Sequence, residues 1–262
     1  MREWIAVALL LCASVGIAQV PPLPDRESQN HAAYPESEAT AAWRGLAAGY
    51  VRKALREQKL DRDPVLNARV DAAMAAVGAA VAGIDPRFAA SSWRAILIED
   101  FGRGAAAFPG ETILMDARFV RTLALTDDEI ALVLAHEAAH VIAAHGSAKL
   151  SFMAEFLGKE KLPTAHKALL EFFSRDSYAA VFQPKARLQE READTLGAVI
   201  LSATGYDPQR AMKLFDKLAA LEALENGRAG RDTDSHDAAL VRKQAVSVVI
   251  AELQARRNPA QR

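Results

Sequence analysis

Residues 126–146 read TDDEIALVLAHEAAHVIAAHG, and this stretch decides the fold. Thr126 with Glu129 three residues on is a capping box, in which each side chain accepts from the backbone N–H of the other residue. Asp127 and Asp128 favour the positive end of the helix dipole. The remainder is almost wholly apolar, so the pattern predicts a buried helix running to about Ala144, with Gly146 placed to end it. Into this helix are set His136, Glu137 and His140. Three such polar residues on a buried helix cost several kcal/mol unless they are paired or bound to a metal.

Positions i and i+4 lie about 40° apart around a helix axis and one turn apart along it. His136 and His140 can therefore both reach one ion, and neutral imidazole is a good zinc ligand. Glu137 points into a neighbouring sector, from which it can act on a water at the ion without displacing it. The competing reading is a pair of core histidines satisfied by hydrogen bonds.

A catalytic zinc site needs a third protein ligand and an open position. A second helix, expected from about Lys185 to Thr204 after Pro184 and ended by Gly205, carries Glu190-Arg191-Glu192-Ala193-Asp194. Glu190 and Asp194 share a face, whereas Glu192 points roughly the opposite way. Glu190 is assigned as the third ligand. Asp194 is assigned to accept from the outer N–H of a ligand histidine, His136 in preference to His140, which fixes its tautomer. Taken without the histidine motif, the same run reads as a solvated acidic face.

In combination, HEAAH, Glu190-x-Glu192-Ala193-Asp194-x-x-Gly197, and Ser235-His236 with Arg242 six residues on resemble the zinc metallopeptidases that include HtpX, the CAAX prenyl protease and the periplasmic protease BepA. The similarity covers roughly Trp93 to Val246. Pro109-Gly110 before a strand, Val141 and His145 after the histidine motif, and Gly205-Tyr206-Asp207-Pro208 agree with it. The resemblance implies an α+β, mostly helical, zincin-like domain with a small β-sheet. It implies one zinc per chain held by His136, His140 and Glu190, with Glu137 as general base and Asp194 behind the ligands. His236 would lie near the zinc as a cap or oxyanion stabiliser, and Arg242 would anchor that region or help bind the transition state. Read from spacing alone, His236 is equally a surface histidine in a polar loop. His145 reads as structural rather than as a ligand, and His31 and His166 have no such context.

Three departures qualify what the resemblance implies. The chain lacks the membrane spans of HtpX and the prenyl protease, and the 26 residues after His236 are too few for the helical-repeat domain of BepA. The family's Asn-Ala-Phe-Ala before Pro-Gly reads Gly104-Ala105-Ala106-Ala107, close to the edge strand that aligns substrate in such folds.

Outward from these motifs the chain is simple. Helices are expected from roughly Glu38 to Leu60 and from Asp63-Pro64, an N-cap with proline at the first helical position, to near Gly83. Strands are expected at Trp93–Glu99 and Thr112–Met115, joined by a Gly-rich connection over Gly102–Gly110. A polar, helix-prone stretch spans Ser147–Ala180, and Asp207-Pro208 starts a further helix. Arg2, the apolar run Trp4–Leu11 and Gly16-Ile17-Ala18 read as a secretory signal peptide cleaved after Ala18, hence a periplasmic or secreted location, with an uncleaved anchor as the alternative. Residues 19–37 read as a flexible linker, which leaves 38–262 as the metallopeptidase domain.

Bulk properties set the limits. The chain has 262 residues, 51% hydrophobic and 25% charged, the composition of an ordinary globular domain. A net charge of −1 carries none of the basic excess of a nucleic-acid binder. Its one cysteine, Cys12, lies in the leader, so the rest of the chain offers no thiol ligand or nucleophile. No segment after the leader reaches 18 uninterrupted apolar residues, so no later membrane span is expected. The expected partners are protein or peptide substrates, misfolded envelope proteins among them, with hydrolysis serving quality control. The rivals are a latent or non-catalytic chaperone or assembly factor on the same fold, and a zinc amidase of cell-wall peptide.

Overall fold

The computed structural model describes residues 32–102, 104–226 and 239–257. Helix α1 (Glu36–Arg56) begins two residues before the expected start, and Tyr34 just ahead of it is buried with its hydroxyl donating to the Leu162 carbonyl at 2.6 Å. The end of the stretch expected to be linker is thus part of the fold. Asp63 caps α2 (Pro64–Ile84) by accepting from the Val65 and Leu66 amides, as the Asp-Pro pair predicts. By length and composition α2 could cross a membrane, but Leu66, Val70, Met74, Val77 and Val81 are buried against the protein core.

A three-stranded sheet follows, ordered β1-β3-β2. Strands β1 (Arg94–Ile98) and β3 (Thr112–Asp116) are the two expected ones, and they run parallel with Ile96 opposite Leu114. The stretch expected as a connection contains a third strand, β2 (Ala105–Phe108), antiparallel to β3. Its alanines have little strand propensity; the open edge of β3 supplies the pairing, and burial of Phe108 fixes the register. Strand β3 is buried throughout and separates two cores. Ile113 and Met115 join α2, the metal-motif helix and the C-terminal helices, while Leu114 joins α1, Phe108 and the helices after the motif. This is the alternation of a strand covered on both faces.

After a short α3 (Ala117–Thr122), helix α4 (Asp127–Ile142) opens with the complete capping box at Thr126 and Glu129. It ends earlier than expected. Ala144 adopts φ 57°, and a new helix, α5 (His145–Leu157), starts at once, with Gly146 in its first turn rather than at a helix end. The polar stretch resolves into the remainder of α5 and α6 (Ala165–Phe172). Helix α7 (Asp176–Ser202) begins eight residues before Pro184 and continues through it, so the expected start at Lys185 is corrected. Proline removes one helical hydrogen bond, but the flanking turns are held by Phe182 and Ala186, which pack against α5 and α6. Helices α8 (Pro208–Ala211), α9 (Lys213–Asn226) and α10 (Ala239–Arg257) close the first core, and Asp207 caps α8 as its Asp-Pro pair implies.

Candidate metal centre

Helices α4 and α7 form the most extensive helix pair in the fold, and the site lies between them. Their approach depends on Gly197. A β-carbon there would lie 3.0 Å from the His136 Cα and 3.1 Å from its amide nitrogen, and backbone cannot yield as a side-chain tip can. Gly197→Val is therefore expected to force the helices apart, costing about 1–3 kcal/mol in urea unfolding and weakening zinc uptake in the same preparation. Unchanged values of both would show that this contact does not set the spacing of the donors.

Across this contact His136, His140 and Glu190 bring one ligand atom each within 4.8 Å of one another. The two Nε2 atoms are 3.1 Å apart, and Glu190 places Oε2 3.3 Å from His136 and Oε1 3.4 Å from His140. His136 is buried, and the other two are nearly so. Two imidazoles and one carboxylate converging on a point, with a cleft on the open side, match the donor set and open position that a catalytic zinc site needs.

Behind these donors the outer nitrogens of both histidines also have close polar neighbours. The His136 Nδ1 lies 3.0 Å from Asp194 Oδ1, the pairing expected for Asp194. Arg242 on α10 donates through Nε and Nη2 to the same carboxylate at 2.9 and 2.8 Å. Arg242 thus lies behind Asp194, where it ties α10 to α7. His140 turns its Nδ1 to His145, 2.8 Å away, and His145 in turn reaches Glu192 at 3.1 Å. Glu192 had been expected to face away; the break at Ala144 brings α5 round to meet it. His236 and Ser235 lie outside the described residues.

Electrostatics follow from burial and these partners. Burial works against a charged His136, but the carboxylates of Asp194 and Glu190 outweigh it and raise its pKa to about 9. Burial and then the neighbouring His136 push His140 well below the usual histidine range. Burial would raise Asp194, yet Arg242 and His136 bring it down to about 2. Without metal, the centre therefore holds a proton at His136, and a metal must displace it to bind.

The cleft that opens on this centre has a volume of about 390 Å³. Glu137 lines it beside His136 and His140, strand β2 forms one margin, and Trp43 and Tyr50 of α1 with Phe172, Phe173 and Phe182 form an aromatic wall. The α1 wall was not legible as part of the site, whereas the Gly104–Ala107 segment was expected close to it, and its alanines form most of β2.

Comparison with known proteins agrees with this geometry. Residues 67–247 match the model of peptidase family M48. The chain is similar to the protein named mitochondrial metalloendopeptidase OMA1 of Schizosaccharomyces pombe (strain 972 / ATCC 24843), 27% identical over 173 residues, covering 63% of this chain and 49% of that protein. It is similar to the protein of the same name from Saccharomyces cerevisiae (strain ATCC 204508 / S288c), 29% identical over 138 residues, 51% of this chain and 39% of that one. The Arabidopsis thaliana protein of that name is 28% identical over 136 residues, 50% and 26% of the two chains. The chain thus spans about half the length of these curated relatives or less. They are also not the relatives that the motif resemblance had suggested within the family.

They overturn the periplasmic or secreted location as well, since the proteins matched by the folded domain are named as mitochondrial. That expectation rested on a short apolar leader with one arginine, in residues outside those described, and such a leader is an address separate from the fold. With its matched segment spanning α4, α7 and the His₂Glu donor set between them, the chain belongs to peptidase family M48.

Proposed function

We propose that the chain is an endopeptidase that cuts extended, unfolded segments of proteins and so serves protein quality control. The observation that carries this reading is the convergence of His136, His140 and Glu190 at the floor of a cleft that Glu137 also lines. The three converging side chains are the zinc ligands, and Glu137 is the general base. Held by these residues, zinc would supply a Lewis acid for the peptide carbonyl and for a water, whose pKa it would bring to about 7. Glu137 accepts the proton as that water attacks and returns it to the leaving amine. Asp194 accepts from His136 Nδ1–H and keeps the Nε2 lone pair turned inward, and Arg242 holds Asp194 in place.

Strand β2 is the terminal strand of its sheet, so an extended peptide can pair with its outer edge beside the metal. Alanines at positions 105–107 leave room for the peptide backbone, and the aromatic wall suits a large apolar side chain next to the bond that is cut. A folded protein offers no such free strand, which favours unfolded substrates.

The test measures zinc content and cleavage of a substrate protein presented both native and unfolded. The expected result is about one zinc per chain, internal cuts in the unfolded form alone, and loss of cleavage with a chelator that zinc reverses. Zinc without any cut in the unfolded form would refute the endopeptidase reading.

A further inference from the structure

We propose that His145 and Glu192 are positioning residues that hold His140 from its outer side, away from the donor cluster, a counterpart to Asp194 and Arg242 behind His136. The inference rests on the metal site proposed above. His140 uses its two ring nitrogens in opposite directions. Its Nε2 faces the donor cluster, 3.1 Å from His136 Nε2 and 3.4 Å from Glu190 Oε1. Its Nδ1 lies 2.8 Å from His145 Nδ1, and His145 Nε2 lies 3.1 Å from Glu192 Oε2. His145 is only 3% exposed, so water cannot replace these partners.

Two ring nitrogens at hydrogen-bond distance require one donor and one acceptor. A metal takes the lone pair on His140 Nε2, so the His140 proton sits on Nδ1 and is donated to His145. His145 Nδ1 must then accept, its own proton sits on Nε2, and that proton is donated to the Glu192 carboxylate. With both rings neutral, this is the one order of protons that satisfies the whole row, and it is the order that leaves His140 ready to bind the ion.

The backbone is shaped for this contact. On an unbroken helix a residue five places after His140 lies about 140° round the axis and faces elsewhere. Ala144 at φ 57° ends α4, restarts the chain as α5 and returns the His145 ring to His140. An alanine in the left-handed region costs roughly 1 kcal/mol, and the contact it creates is the one just described. Helix α7 therefore carries an inner carboxylate, Glu190, and an outer one, Glu192, on the two sides of His140.

The test compares His145→Leu, His145→Asn and Glu192→Ala in the full 262-residue chain. The readouts are zinc affinity by competition with a chromophoric chelator and the visible spectrum of the cobalt-substituted protein. Leucine removes the acceptor, and the expected loss of zinc affinity is about 10- to 100-fold with shifted cobalt bands. Asparagine offers an amide oxygen near the position of Nδ1 and is expected to restore most of both. Glu192 is partly exposed, so its truncation leaves the core intact and reports on the row even if the leucine variant fails to fold. Zinc affinity and cobalt bands unchanged in His145→Leu and Glu192→Ala, or asparagine no better than leucine, would overturn the inference. If the parent protein takes up no zinc, the metal site itself fails and the inference goes with it. If the parent takes up zinc and the variants match it, the inference alone fails.

Discussion

Glu137→Gln is expected to keep its zinc and lose turnover by about 10²- to 10⁴-fold. Glutamine has the size and shape of glutamate but no basic oxygen that can accept a proton from water at neutral pH. Glu137 lies outside the group of converging donors, on the side of α4 that lines the cleft, so its replacement leaves His136, His140 and Glu190 as they were. The decisive measurement is kcat on an unfolded substrate together with zinc per chain on one preparation. Turnover near the parent value would remove Glu137 as the base. Loss of zinc alongside turnover would show that it supports the metal instead.

His140→Ala should fail in the opposite order, with the metal lost first and all cleavage lost in consequence. The substitution deletes one of three ligand atoms and leaves His145 facing a void. Two remaining ligands do not make a closed enough set to retain zinc against a chelator. The helix itself survives, because its capping box lies at the other end and alanine is the best helix former. Elemental analysis and far-ultraviolet circular dichroism separate the two consequences. A full zinc complement in the variant would exclude His140 as a ligand, and loss of helical signal would make the metal result uninformative about ligation. Set side by side, the two variants assign chemistry to Glu137 and binding to His140.

Much of this centre could be read in advance because it is local. A capping box, an i/i+4 pair of histidines and an i/i+4 pair of carboxylates are each written within five residues of sequence, and helical geometry converts the spacing directly into a shared face. What could not be read is set by distant partners. Strand β2 is three alanines and a phenylalanine that become a strand only because β3 offers an open edge. The turn at Ala144 contradicts the residue's own preference and is held by the packing of α5. For the same reason the direction of Glu192 was misread: facing away from Glu190 on α7 is facing towards His145 once α5 is in place. Pro184 reads as a helix start by local rule, yet Phe182 and the apolar contacts around it carry α7 through. Gly197 was visible as part of a motif, but its reason, the backbone of His136 against it, exists only in three dimensions.

The family match begins at residue 67, whereas the cleft takes part of its wall from Trp43 and Tyr50 on α1. The cleft wall is therefore built in part outside the matched segment. The matched segment tolerates little at its helix contact, since a single β-carbon at position 197 would press on the backbone of His136. The α1 wall is an apolar helix face, which accepts changes of shape so long as volume is kept. Selection can thus reshape this side of the cleft by editing α1 while the donor set stands still, and an engineer can follow the same route.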